Sequence, residues 1–584
     1  MKGTRREWLG IWAAAVAAQT APPDPLTRHP ILRSMRDELE RSRQLRIVHP
    51  DPLYYLEYTL DDVEILSVAA AFGGLLRERQ TRVRIPQVTV RVGDPAFDNS
   101  NYILSDVFVG SRFDPDQFPL DDNYEALRHA WWLATDRAYK AAVEAIGRKR
   151  AALRNLTQGD KRPDFSPAPT VVRITPPFRI PMDAAAWRNR IAALSAVFNP
   201  FAEVQDCSVE FECLQSTTYF ANWEGTMTVS PDIVAFVRVQ ASGQAPDGMR
   251  VRDTLVLQTP DPRRLPPEPD MKRAAVQVAE NVRALTAAPA GEAYTGPVLF
   301  EGQAGPQIFA EVLGSALAAS RRPVAEPNRP LPASNPPLEG RIGSRVLPDS
   351  FTVVDDPTQR EFRGRLLCGH YLVDIEGVVP QPLAVIEKGV LKTLLSTRQP
   401  TRDLDVSNGR ARIPGPFGAK AAAISNLFVK TAEPLTSQQL RAELLKTAAA
   451  RGKPYGLVVK KMDFPSTASF PELRRLASGV ERPVSLPLLT YRIYPDGREE
   501  LVRGLRFRSF PVRALRDILA ASGEETIFDF LGNLAPFSVV GGGAYVYPAS
   551  VVAPSILVEE LELDRAERDL PQAPLVPPPP LPGR

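Results

Sequence analysis

The segment from Tyr294 to Leu313 constrains this chain more than any other, because a short apolar run ends in a glycine-rich turn and a helix begins at once. Leu299 and Phe300 close the run, Gly302 and Gly305 relax the turn, and Pro306 offers the fixed φ and missing N–H that suit a first helical residue. Phe309, Val312, Leu313, Ala316 and Leu317 then recur at helical spacing. A buried strand that delivers its end into a helix is a site geometry. Glu301 stands in the turn.

The chain has 584 residues, too many for one hydrophobic core, so two or more domains are expected. With 44% hydrophobic and 24% charged residues it has the composition of a folding chain. The 71 basic residues against 68 acidic ones leave a net charge of +3 with no dense Lys/Arg stripe, which argues against nucleic acid as partner. Four histidines (His29, His49, His129, His370) and three cysteines (Cys207, Cys213, Cys368) are scattered, none paired at a metal-ligand spacing. Cys207 and Cys213 lie in an alternating run. Six extended residues span roughly 20 Å, far beyond disulfide reach, so both read as small core residues on one strand face.

Residues 1–18 combine Lys2, Arg5 and Arg6 with an apolar run from Leu9 to Ala18 and a small-residue cleavage pattern before Gln19. This predicts an export signal, and Thr4 to Leu9 resembles the twin-arginine type, which implies a periplasmic destination. A disordered basic start on a cytoplasmic protein is the alternative.

After an N-terminal extension (19–45) holding a helix at Ile31 to Leu45, residues 46–290 read as an antiparallel α+β domain. Strand-like runs are expected at Leu53–Leu60, Val63–Val68 and Val83–Val92. A capping box at Asp122–Glu125 opens a long helix to Arg150, and helices follow near Met182–Val197 and Met271–Leu285. Between them come strands from Cys207 to Gln258, with a turn at Pro246-Asp247-Gly248. The strand–helix segment occupies 291–320, and seven prolines mark 321–348 as a linker. A β-rich domain spans 349–563. Its expected elements include strands at Phe362–Val373 and Gly456–Met462, helices at Ser437–Arg451 and Ala514–Ser522, a hairpin on Asp496-Gly497, and a closing strand Ile556–Leu563. Residues 564–584 form a Pro-rich tail.

Within 349–563 several motifs stand in order: Asp374-Ile-Glu-Gly377, Ile386-Glu-Lys-Gly-Val-Leu391, Ser407-Asn-Gly-Arg410, Tyr494-Pro-Asp-Gly to Gly504, and Val546 to Pro554. Together they resemble the C-terminal domain of the TldD/PmbA family of metallopeptidase-related proteins. The resemblance implies a barrel-like C-terminal domain, homo- or hetero-dimerisation with a family subunit, and peptide or unfolded-protein substrates. It also implies, in catalytic members, a zinc site with two histidines and a glutamate on the central helix and a cysteine ligand near the end. Carried over residue by residue, the histidine positions fall on Phe300 and Gly305, the cysteine on Val540, and the glutamate on Glu301.

Phe300, Gly305 and Val540 donate nothing to a metal. Glu301 alone could serve as a general base, but a carboxylate at a helix start is also favoured by the helix dipole alone. The reading is therefore a non-catalytic or degenerate family member with no cofactor. An active peptidase that binds zinc through other ligands and a binding or scaffold protein without peptidase chemistry stay open. Asp374 with Glu376, and Cys368 with His370, are weaker candidates: a polar turn and an inert core thiol are the preferred readings. Gly541 to Gly543 lack the Lys and Ser/Thr of a phosphate loop.

Overall fold

The computed structural model describes residues 29–44, 50–102, 118–154, 162–324, 336–414, 420–463, 485–533 and 546–565. The export segment 1–18, Val540, Gly541 to Gly543 and the tail from 566 lie outside the described residues.

The first half begins with helix α1 (Pro30–Arg43), strands β1 (Leu53–Ala71), β2 (Gly74–Asp94) and β3 (Phe97–Asp98), and helix α2 (Tyr124–Arg154). Strand β4 (Val172–Ile174), helix α3 (Ala184–Ser195), strands β5 (Asp206–Asn222), β6 (Met227–Gln244) and β7 (Arg250–Thr259), and helix α4 (Glu268–Ala287) complete it. The strands form one sheet in the order β3-β2-β1-β5-β6-β4, with β7 also on β6, antiparallel except for β4 on β6. Period-two alternation puts Leu56, Tyr58, Leu60, Leu66, Val68 and Ala70 of β1 on one buried face. Helices α1 and α2 cover one end of that face and α3 and α4 the other. Cys207 and Cys213 are buried on it along β5, and neither forms a disulfide.

Two expected runs, Leu53–Leu60 and Val63–Val68, are one strand. The charges between them are answered from neighbouring strands: Thr218 donates to Asp61 at 2.7 Å, and Arg82 to Asp62 at 2.7 and 2.9 Å. The β1–β2 turn places Phe72 and Gly73 at φ 49° and 88°, the left-handed pair that a two-residue hairpin requires. The expected capping box at Asp122 does not form. Asn123 caps α2, accepting from the Ala126 N–H at 3.0 Å, because Asp122 is drawn away to the buried Arg84 guanidinium. The Pro246-Asp247-Gly248 turn is present, with Gly248 at φ 87°.

The second half opens with β8 (Tyr294–Phe300), the short helix α5 (Ala304–Ile308) and a π-helical turn at Phe309–Gly314. Strands β9 (Phe351–Asp355), β10 (Glu361–Phe362), β11 (Arg365–Leu366), β12 (Leu383–Glu387), β13 (Val390–Leu391), β14 (Ala411–Pro414), β15 (Lys420–Ala422), β16 (Asn426–Thr431) and β17 (Pro434–Leu435) follow. Helix α6 (Ser437–Ala450) then leads to β18 (Gly456–Met462), β19 (Pro487–Ile493), β20 (Glu499–Val502), β21 (Leu505–Phe507), β22 (Ile518–Asn533) and β23 (Val546–Arg565). Twelve of these strands make a mixed sheet running β13-β12-β9-β16-β23-β8-β18-β19-β20, with β17, β21 and β22 branching from it. The sheet is open at β13 and β20, so the barrel expected here is not closed.

Strand β23 is the spine, antiparallel to β8 and β22 and parallel to β16. The hairpin on Asp496-Gly497 forms as expected between β19 and β20. The helix expected at Ala514–Ser522 does not: a 3₁₀ turn, Val512–Asp517, gives way to β22, whose Ile518 pairs with Val558 of β23. The expected strand Phe362–Val373 shrinks to two residue pairs, because Arg363 and Gly364 at φ 49° and 78° fold it back at once. The expected linker is anchored at both ends: Val324 donates to Asn101 at 2.8 Å, and Leu338, Val346 and Leu347 are buried in the core. No helix among the described residues is long and apolar enough to cross a membrane.

Candidate functional site

Strand β8 lies between β23 and β18, and its alternation assigns each side chain a face. Val298 and Phe300 enter the main core, where the Phe300 ring meets Phe507 and Phe510 at centroid distances of 5.9 and 5.7 Å. Leu299 faces the other way, under Leu440 and Leu444 of α6. Glu301 continues that second face. Its carboxylate accepts both arms of the Arg441 guanidinium at 2.8 Å, and Arg441 also reaches Glu499 at 2.6 Å. A bidentate pair of this kind engages both carboxylate oxygens and holds the group toward α6.

Beyond Glu301 the backbone turns at Gly302 (φ +60°), whose N–H donates to Ser555 Oγ at 3.0 Å. Pro306 is the third residue of α5 and not the first, still within the turn whose N–H groups have no helical acceptor. Gly305 presses on the spine: a Cβ there would lie 2.4 Å from the Pro554 carbonyl oxygen.

Gln303, just before α5, and the buried Gln307 were passed over in sequence reading although their i, i+4 spacing marks one helix face. They line a recess with Thr254 and Val256 of β7, Lys461, Met462 and Asp463 at the end of β18, and Phe528, Asp529 and Phe530 of β22. Gln307 reads the strand beside it as a neighbouring strand would, donating to the Met462 carbonyl at 3.0 Å and accepting its N–H at 2.9 Å. Every carboxylate around the recess is matched. Lys461 and Asn281 hold Asp253 at 2.6 and 2.7 Å, Arg252 pairs with Asp463, and Arg365 meets Asp529 at 2.5 Å while Ser550 donates to it at 2.6 Å. Burial holds the Asp529 carboxyl above its ordinary range.

The structure therefore brings Phe300, Glu301 and Gly305 together in sequence but not toward one point: one enters the core, one faces α6, and one abuts β23. A zinc ion requires nitrogen, sulfur or carboxylate donors converging from about 2 Å. A phenyl ring, a hydrogen atom and a carboxylate clamped by arginine do not fit it. Among the described residues no three His, Cys, Asp or Glu side chains converge in a manner suited to a metal.

The other sequence candidates are structural neighbours only. Cys368 is buried, its thiol pushed up by burial, and its N–H donates to Ser550. His370, with its imidazole held low by burial, bonds through Nδ1 to the Pro357 carbonyl at 2.8 Å, so the two do not pair. Asp374 and Glu376 are both buried, and burial raises both carboxyls.

Comparison with known proteins places this geometry. Residues 293–565 match the PmbA/TldA metallopeptidase C-terminal domain. A metalloprotease of Archaeoglobus fulgidus is 34% identical over 94 residues, 16% of this chain and 20% of that protein. A metalloprotease of Methanothermobacter thermautotrophicus is 36% identical over 76 residues, 13% of this chain and 15% of that protein. The chain thus matches a fifth or less of these curated relatives' length. TldE from Thermococcus kodakarensis shares the fold at a TM-score of 0.54 and 12% identity, over 91% of this chain and 100% of that one. A Thermotoga maritima protein described as a candidate modulator of a DNA gyrase shares it at 0.55 and 14%, over 91% and 99%. With ordered motifs, fold and domain match in agreement, residues 293–565 carry the C-terminal domain of the TldD/PmbA family of metallopeptidase-related proteins, and the chain shares the fold of TldE.

Proposed function

We propose that this protein is a non-catalytic member of its family, exported through residues 1–18 and acting as a subunit beside a second family member in peptide or protein processing. One observation carries the reading. Gly305 packs its backbone against Pro554 so closely that no side chain fits, so that position is built for contact with the spine and not for holding an ion. Phe300 and Glu301 support it, one filling the core and the other neutralised by Arg441.

A peptidase also needs an electrophile to stabilise the oxyanion formed during amide hydrolysis. The cations around the recess are already engaged with Asp253, Asp463 and Asp529. The Gln307 amide is spent as well, on the Met462 N–H and carbonyl.

The test is metal analysis of the purified protein together with co-purification from its own cells. Metal-free protein accompanied by a second family member with an intact histidine–glutamate–histidine cluster is the expected result. Stoichiometric zinc lost on Glu301→Ala would overturn the reading, and isolation without any family partner would move it to a binding or scaffold protein. Mature protein beginning at Gln19 is expected; a chain starting at Met1 would remove the export step.

A further inference from the structure

The turn Asp374 to Gly377 is a seam between the two halves of the molecule. Both acidic side chains are 6% exposed. Asp374 Oδ1 accepts the N–H groups of Glu376 and Val378 at 2.9 Å, and Oδ2 accepts that of Ala411 at 3.1 Å. Glu376 Oε2 accepts the Arg398 N–H at 2.6 Å. Gly377 sits against the N-terminal sheet so tightly that a Cβ would be 2.7 Å from Thr226 Cγ2 and 3.1 Å from the Phe220 ring.

Charged groups reach this turn from every element around it. From β1 comes Glu57, whose Oε2 accepts the Tyr55 hydroxyl at 2.7 Å, and from the β5–β6 turn comes Glu224. Lys420 of β15 places Nζ 2.6 Å from Glu57 and 2.7 Å from the Ile375 carbonyl. The Arg398 guanidinium spans Glu224 at 2.6 and 2.7 Å and the Ser166 carbonyl at 2.9 and 2.7 Å. Arg410 and Asp355, 3.1 Å apart, cancel each other. Four carboxylates thus face two cations, and each cation is committed to a carboxylate of the N-terminal sheet or its β5–β6 turn. Among the described residues, Asp374 and Glu376 are left with backbone N–H groups as their direct donors.

Two buried like charges two residues apart cannot both be held in that setting. We propose that the Asp374–Glu376 pair retains a proton near neutral pH, and that this proton is a latch holding the second half of the chain onto the first. Losing it leaves the seam with uncompensated negative charge and loosens it. Burial, and for Glu376 also the neighbouring Asp374, push in the direction this requires. The sign follows: acids raised on folding contribute stability at low pH, and the contribution fades from the ordinary carboxylate range up to about 7.

Hydrogen exchange on the full chain between pH 5.5 and 8.5, with each rate divided by its intrinsic value at that pH, reads the latch directly. Protection of the Glu376, Val378, Arg398 and Ala411 amides is expected to fall about tenfold per pH unit where one proton is released on opening. Glu376→Gln, which stays neutral, is expected to flatten that dependence. Glu57→Gln removes a neighbouring negative charge and is expected to move the fall to lower pH. Constant protection in the wild type, an unchanged profile in Glu376→Gln, or no displacement in Glu57→Gln would each overturn the proposal.

Discussion

Gly305→Ala separates two effects of opposite sign. On helix propensity alone alanine is the better residue by about 1 kcal/mol, so an α5 that merely needed to be helical would gain stability. Packing says the reverse. A Cβ at this position meets the Pro554 carbonyl oxygen at 2.4 Å, its carbon at 3.1 Å and Ser555 Cα at 3.3 Å, all main chain. That main chain cannot swing away, because Glu525 of β22 pairs with Pro554 on one side while Phe300 of β8 pairs with Ile556 on the other. Overpacking against an immobile backbone costs about 1–3 kcal/mol, toward the upper end here, and offsets the propensity gain. A net loss of about 1–2 kcal/mol corresponds to a drop of roughly 2–8 °C in Tm for a unit of this size. Scanning calorimetry of the wild type and Gly305→Ala measures it. An unchanged or raised Tm would refute the argument that this glycine exists for contact with the spine, and with it the main support for reading the site as non-catalytic. The same reasoning expects Phe300→His combined with Gly305→His to remain zinc-free, since the first imidazole would point at Phe507 and Phe510 and the second has no room.

Glu301→Ala breaks a partly solvated ion pair and is expected to cost no more than about 1 kcal/mol, less at high salt, with metal content unaltered; a salt-independent loss of several kcal/mol in denaturant titration would contradict this. Gln307→Leu leaves the Met462 N–H and carbonyl without their partner, so a loss of about 2 kcal/mol or more is expected in the same assay, and a neutral result would show that the amide is dispensable. Burial pushes the Cys213 thiol up to about 12, so a thiol reagent at pH 8 is expected to leave it unlabelled in native protein and to label all three cysteines after denaturation, with mass spectrometry as readout. Labelling of native Cys213 within minutes would show that β5 opens far more readily than its packing implies.

What could be read from the sequence depended on how local its cause is. The turns at Pro246-Asp247-Gly248 and Asp496-Gly497 were legible because a positive φ at glycine is a property of a few adjacent residues. Ala514–Ser522 was not, since Leu515, Ile518 and Ala521 recur at a helical interval while the force that makes Ile518 extended is pairing with Val558. Asp61 and Asp62 look like a break in a strand until Thr218 and Arg82 arrive from neighbouring strands to answer them. The Asp122 cap failed for the same reason, its carboxylate being claimed by an arginine 38 residues away.

The site obeys this rule as well. That Phe300, Glu301 and Gly305 hold no set of zinc donors is visible in their side chains. That they face three different directions is fixed by register: Phe300 lies opposite Ile556 of β23, so its ring enters the core, and Glu301 must then fall on the face of α6, where Arg441 waits. Gln303 and Gln307 carried a local signal, two amides four apart on an otherwise apolar stretch, but their meaning depends on Met462, which reaches them through a parallel pairing of β18 with β8. The lack of donor atoms on Phe300 and Gly305 is therefore a local property, whereas the packing around them is set by strands more than 150 residues distant.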